Sequence, residues 1–331
     1  MNSKGSSSRL HAGPEAKSKV RAKKKPTSPE PAGKSSDGRL SRLELPPGVL
    51  LGAHTSTSGG VSQAVGRAQA LGFTAAQIFV KNNKQWFAPP LAEDEIAQFR
   101  AARKKSAISF FAHNSYLINL GSPDPGIYST SVRAMVAEIE RAEALGLPFI
   151  VMHPGSHGGA GEDAGLRRIA RGLDEVVRKT VGLRCRMALE ITAGQGRALG
   201  YRLEHLSWLI EHVKDEKRFG ICLDTAHLFA AGYNVATPDG YDETMAQVVK
   251  LFDSRRVLGL HLNDSKVALG MRVDRHAHLG LGEIGLACFL RIVQDPRWAS
   301  TPKVLETPKS DDMHEDVENL TKLAPYLHPS A

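Results

Sequence analysis

The sequence predicts an α/β protein, a single (β/α)8 TIM barrel behind a disordered basic N-terminal tail. Three observations predict it. Eight short apolar runs recur between residues 50 and 306, with helical patterns between them. The last six each reach a His, Asp or Glu at their C-terminal end. No GxGxxG follows the first run, which disfavours the main rival, an open doubly wound sheet built for a dinucleotide.

The predicted strands are Leu50–His54, Ala76–Val80, Ile108–His113, Phe149–His153, Met187–Ile191, Gly220–Asp224, Val257–Leu262 and Lys303–Glu306. Runs this short and this apolar are buried on both faces, as parallel strands are when helices cover them. Amphipathic helices fill the gaps. One gathers Val132, Met135, Val136 and Ile139 on one face and stops before Gly146, a residue suited to the left-handed turn after a helix. A second carries Leu203, Leu206, Leu209, Ile210 and Val213, and a third Met245, Val248, Val249 and Phe252. The glycine-rich stretch 155–165 lacks the GK[ST] of a phosphate loop and reads as a flexible rim loop.

Ahead of the barrel, residues 1–46 hold Ser, Lys, Pro, Gly and Ala and few large apolar side chains, too little to offset the entropy of ordering. Residues 1–42 carry 11 Lys and Arg against three Asp and Glu, which accounts for the whole formal charge of +8. The barrel domain, 47–331, begins at the Pro46–Pro47 boundary, and residues 43–331 balance to a formal charge of zero. A generally basic folded surface is therefore excluded, although a locally positive groove is not. The RAKKK run at 21–25 is either a solubilising feature or a site for nucleic acid or another polyanion. Three widely spaced cysteines (Cys185, Cys222, Cys288) form neither a disulfide framework nor a CxxC pair, which suits a reducing compartment. No membrane-length apolar run and no secretory h-region occur. The expected location is the cytoplasm, at the nucleoid in a bacterium, with the nucleus left open by the basic tail.

The strand ends carry the chemistry. His113, His153, Glu190, Asp224, His261 and Glu306 close six successive strands, and in a barrel those ends converge on one mouth. His227 follows Asp224 within LDTAH, and Asp274 and His276 alternate within VDRH, so both segments add to the mouth. Nine convergent imidazoles and carboxylates are costly to bury without a cation. Their mixed N and O donors suit zinc or manganese, and nine exceed what one tetrahedral ion needs, so two or three ions with bridging carboxylates are expected. Clustered ions suit in-line displacement at phosphorus, which makes phosphoester hydrolysis the predicted reaction. His54 ends the first strand and is kept either as a residue supporting the ligands from behind or as one facing substrate.

Several segments together resemble the endonuclease IV family of apurinic/apyrimidinic endonucleases. They are GAHTSTSGG (52–60), FVKNNKQW (79–86), AHNSYLINLGSPD (112–124), VMHPGSH (151–157), LEITAGQG (189–196), LDTAHLFAAGYN (223–234), HLNDSK (261–266), VDRH (273–276) and LETP (305–308). The resemblance runs in order over about residues 50–325. It implies a TIM barrel holding three zinc ions, with manganese admissible at one site. It also implies incision of duplex DNA 5′ to an abasic site, leaving a 3′-hydroxyl and a 5′-deoxyribose phosphate.

Carried over motif by motif, the resemblance places His113 and His153 on one zinc, with Glu190 bridging it to a second. Asp224, His261 and Glu306 fall on the second, and His227, Asp274 and His276 on the third. Glu190 and Glu306 are the expected catalytic carboxylates, around a metal-bridging hydroxide. Tyr116 matches an aromatic side chain inserted at the lesion. Asn82, Lys84 and Gln85, with Trp86, lie in a loop that enters the minor groove, although Trp86 reads equally well as packing. The implied partner is double-stranded DNA containing abasic sites, bound by a monomer with no membrane involved. Two departures stand out. Lys84 replaces the usual Arg, and Ala277 and Leu281 stand where a second His and a Glu are common. A sugar isomerase or epimerase on the same barrel type, or a non-catalytic damage-binding protein, are the alternatives.

Overall fold

The computed structural model describes residues 42–327. Eight parallel strands close a barrel: β1 (Leu51–His54), β2 (Ala75–Phe79), β3 (Ser109–His113), β4 (Phe149–Met152), β5 (Arg186–Glu190), β6 (Phe219–Asp224), β7 (Val257–His261) and β8 (Lys303–Leu305). They pair in sequence order, and β8 returns to β1 through the register Gly52↔Val304. The expected strands are all present, each differing from expectation by about one residue at one or both ends. His153, Ile191, Leu262 and Glu306 lie just past their strands, where the backbone leaves the ladder.

The helices are α1 (Val61–Leu71), α2 (Glu93–Ser106), α3 (Pro125–Ala144), α4 (Glu162–Lys179), α5 (Leu203–Glu211), α6 (Thr225–Ala231), α7 (Pro238–Phe252), α8 (Leu286–Gln294) and α9 (His314–Thr321). Helix α3 starts on Asp124, whose side chain accepts from the Ile127 amide, with Pro125 at the first helical position. It buries Val132, Met135 and Ile139 as their spacing predicts, while Val136 is half-buried. In α7 the expected stripe holds for Met245, Val248 and Phe252, but Val249 faces solvent. Among the described residues, no helix is long and apolar enough to cross a membrane.

Two apolar layers result. The larger lies between the strands and the helices. The smaller is the barrel's own filling: Ala75, Phe111, Phe149, Val151, Ala188, Cys222 and Val304. Phe111 stacks on Phe149 with centroids 4.7 Å apart. All three cysteines are free and buried.

The expected tail lies almost wholly outside the described residues. Its described end packs, however. Leu43 is buried and its amide donates to Leu71 O at 3.0 Å, so packing begins ahead of the expected boundary at Pro46–Pro47. Gly72 makes this approach feasible. It ends α1 at φ +79°, and a Cβ there would collide with Leu43 O. The 155–165 rim is also better tied than expected. Gly155–Ser156 pairs antiparallel with Ala198–Leu199, and the His157 ring accepts from the amides of Gly159 and Gly161, both at 3.2 Å.

Candidate metal centre

Side chains alternate along a strand, so residues two apart share a face. In β3 the inward face reads Phe111 then His113, in β5 Ala188 then Glu190, and in β6 Cys222 then Asp224. Past the ends of β4 and β8 it reads Val151 then His153, and Val304 then Glu306. The apolar filling therefore sits one pleat below a ring of imidazoles and carboxylates. A register shift at Ile221/Cys222 between β6 and β7 adds local twist just below Asp224 and His261.

Three groups of donors form at the mouth, each with its candidate ligand atoms within 4.8 Å of one another: His113–His153–Glu190, Glu190–Asp224–His261–Glu306, and Asp224–His227–His276. Glu190 is central and fully buried. Its Oε2 lies 3.1 Å from both His113 Nε2 and His153 Nε2, and its Oε1 2.8 Å from His261 Nδ1. His261 Nδ1 is also 3.2 Å from Glu306 Oε2. Asp274 joins the third group, with its carboxylate oxygens 3.2 Å from His227 Nε2 and 3.3 Å from His276 Nε2. All nine expected ligands thus meet at one mouth.

The imidazoles are oriented from behind. His113 Nδ1 donates to Asn114 O at 2.8 Å, His227 Nδ1 to Ile191 O at 2.9 Å, and His276 Nδ1 to Glu306 O at 3.3 Å. Each bond turns an Nε2 lone pair toward the centre. His261 is reversed: its Nε2 faces Gln77 Oε1 at 2.8 Å, so Nδ1 is the atom turned toward the centre.

A cation fits this donor set. His227 Nε2 and His276 Nε2 are buried with no hydrogen-bond partner of suitable geometry. Burial opposes charge on Glu190, yet His261 and His153 hold its carboxyl well below the usual range. Burial likewise opposes charge on His261, yet Cys222, Glu306 and Glu190 hold it well above an ordinary imidazole. Glu190 thus keeps its charge with a proton held on His261, and metal binding at these atoms would compete with that proton.

Two residues of this centre escaped the sequence reading. Gln77 is fully buried in the middle of β2. Besides accepting from His261, its amide donates to Glu306 Oε1 at 2.6 Å and to His54 Nδ1 at 3.0 Å. Asn263 donates to Asp224 Oδ2 at 2.6 Å and accepts from the Glu306 amide at 2.8 Å. The available signal was a polar amide within or just beyond a buried strand. His54 stands behind Glu306 and is not among the ligand groups. Burial pushes it down to about 3, so its Nδ1 is a neutral acceptor.

Over the centre stands Tyr116, 59% exposed, its ring 5.5 Å from His113 and 6.0 Å from His153. Asn82, Lys84 and Gln85 are exposed on the loop after β2, whereas Trp86 is half-buried against the outer core. A cavity of about 920 Å³ opens between that loop, Tyr116, Glu306 and Lys309. Leu281 points outward, 73% exposed. The backbone beneath it is set by buried Asp264, which accepts from the amides of Gly280, Gly282 and Ile284. The side chain at position 281 is therefore not what holds this loop.

A family described as "Xylose isomerase-like TIM barrel" matches residues 65–324. The "Probable endonuclease 4" of Chloroflexus aggregans is 47% identical over 281 residues, covering 85% of this chain and 98% of that protein. That of Trichlorobacter lovleyi is 44% identical over 274 residues, 82% and 98%. Among solved structures, endonuclease IV from Thermus thermophilus superposes with a TM-score of 0.75 at 37% identity, covering 84% and 98%. The chain belongs to the endonuclease IV family. D-Psicose 3-epimerase from Clostridium cellulolyticum, 13% identical with a TM-score of 0.59, shares the fold alone. Membership bears out the resemblance read from the motifs, and a family relation of this closeness implies a metal-dependent centre at this mouth.

Proposed function

We propose that this chain is a DNA-repair endonuclease that hydrolyses the phosphodiester 5′ to an abasic site in duplex DNA. Family membership and the mouth geometry support the reading together. The observation that carries it is the convergence of nine donors into three adjoining groups around Glu190, beneath an exposed tyrosine.

The donor set suits three zinc ions, with manganese admissible at one. His113, His153 and Glu190 would hold the first. Glu190, Asp224, His261 and Glu306 would hold the second, and His227, Asp274 and His276 the third. When bound, such ions lower the pKa of water to about 7 and neutralise charge developing on phosphate oxygens. Glu190 and Glu306 are the catalytic carboxylates, oriented by the histidines and by Gln77. Gln77 holds the Glu306 carboxylate and Asn263 its backbone amide, which keeps the acceptor geometry fixed before substrate arrives.

Tyr116 inserts where the base is missing, since an abasic site costs least to unstack. Asn82, Lys84 and Gln85 contact the duplex from the loop after β2, and His54, a neutral group behind Glu306, lines the same cavity. Lys84 keeps the charge of the usual Arg without its planar fork, so its contact is to phosphate. The protein acts as a monomer on double-stranded DNA, in the compartment that holds that DNA.

The test is incision of a labelled duplex carrying one abasic site by the full, zinc-replete chain, with metal content measured alongside. The expected result is a nick on the 5′ side, with 3′-hydroxyl and 5′-deoxyribose phosphate ends, and about three zinc ions per chain. Tight binding without nicking would overturn the enzyme reading. One or two manganese ions with ketose epimerisation would favour the sugar-isomerising alternative.

A further inference from the structure

Beside the mouth, next to the nine donors but not among them, a charged pair is sealed inside the protein. Lys81 Nζ lies 2.9 Å from Glu138 Oε1, and the two side chains are 2% and 1% exposed. Lys81 begins the loop after β2, and Glu138 projects from α3. A buried pair loses hydration on both charges, and apolar side chains would fill the same space at no greater cost. Helix α3 already packs through Val132, Met135 and Ile139, so its docking does not depend on the pair.

What the pair touches explains its placement. Glu138 also accepts from the Ser115 amide, at 3.1 and 3.3 Å. Ser115 is the neighbour of Tyr116, and its hydroxyl donates to Asn83 O at 2.6 Å. On the other side, Lys81 Nζ donates to the carbonyls of Gln85 and Asn82. One turn further along α3, Arg141 donates to Val80 O at 2.7 Å and to Pro89 O at 2.6 Å, gripping the same loop at both ends. The loop carrying Asn82, Lys84 and Gln85 and the loop carrying Tyr116 are therefore tied to one carboxylate.

We propose that Glu138 is a positioning residue for DNA recognition: acting through Lys81 and Ser115, it holds the two DNA-facing loops in a single register. The role rests on the endonuclease reading above. Glu138 touches neither substrate nor any of the nine donors. Its contribution is pre-organisation, so that the loop side chains and Tyr116 meet the duplex together rather than being ordered on binding.

The test uses Glu138→Gln and the double variant Lys81→Met/Glu138→Leu, in the full zinc-loaded chain, on a duplex with one abasic site. In Glu138→Gln, KM rises on the order of tenfold or more while kcat stays within about twofold and metal content is unchanged. Amide exchange increases in segments 80–87 and 114–118 together. The double variant removes both buried charges, so it folds even if the single variant does not. It keeps the raised KM and the paired rise in exchange. Unchanged KM in either folded variant, or exchange rising in one segment alone, overturns the proposal. If the unaltered chain does not nick abasic duplex, the function reading has failed instead, and the exchange measurement alone judges the coupling.

Discussion

The barrel interior contains two layers that could hardly differ more, although the same strands build both. In the lower layer Phe111, Phe149, Val151, Ala188, Cys222 and Val304 touch one another and need no ligand. One pleat higher, His113, His153, Glu190, Asp224 and Glu306 occupy the same inward face. The lower layer stabilises by burial and dispersion, at roughly 25 cal/mol per Å² of apolar surface. The upper layer collects four carboxylates and five imidazoles in or beside a largely buried space, where mutual pairing only partly offsets lost hydration. Stability and function are thus separated along each strand by a single side-chain repeat, about 7 Å of chain. A substitution should reveal by its effect which layer it belongs to.

The sharpest break in that comparison is Glu190→Gln in the upper layer. Incision is expected to fall on the order of 10³-fold with metal content reduced, while circular dichroism still reports a folded barrel. Near-normal turnover in that variant would remove Glu190 from the centre of the chemistry. The converse is Phe111→Ala, one pleat below His113. It should cost about 3–5 kcal/mol in urea unfolding yet leave metal content unchanged at temperatures where the variant is folded. Loss of metal in a folded Phe111→Ala chain would mean that the layers are not independent.

Lys303 gives the smallest effect and the finest test. It is a buried charge at the start of β8, three residues before Glu306 and on the opposite face of the strand. Its ammonium donates to the carbonyls of Trp298 and Thr301, the latter at 2.9 Å. Burial pushes it down to about 8. A lysine whose folded pKa is depressed penalises the fold below that value, and the penalty is relieved as pH rises toward the unfolded pKa of about 10.4. The stability of the unaltered chain relative to Lys303→Met should therefore increase between pH 8 and about 10.4 by denaturant titration. A flat difference would show that the carbonyls fully compensate the charge.

Much of the centre was legible because strand ends are punctuated in the sequence. An apolar run halted by His, Asp or Glu is visible without coordinates, and six of the nine donors were found that way, with His227, Asp274 and His276 read from the LDTAH and VDRH segments that follow. Gln77 was not, because it interrupts a strand instead of ending it, and its three partners come from β1, β7 and the segment just past β8. Asn263 was missed for a similar reason, lying two residues past a ligand already identified. The Lys81–Glu138 pair was invisible, since its residues are 57 positions apart and each alone reads as a solvated surface charge. The packed position of Leu43 was hidden by the polar composition around it.

Local patterning by itself determined the eight strands, the helical faces that cover them and the identity of the donors, because period and burial are written into neighbouring residues. Only the tertiary structure decided the rest: which imidazole nitrogen faces the centre, which amide braces Glu306, and which carboxylate ties two loops together. Those are contacts between residues distant in the chain. Ring closure of the barrel, with β8 returning to β1, brings them within hydrogen-bond reach, and no local pattern records distances of that kind.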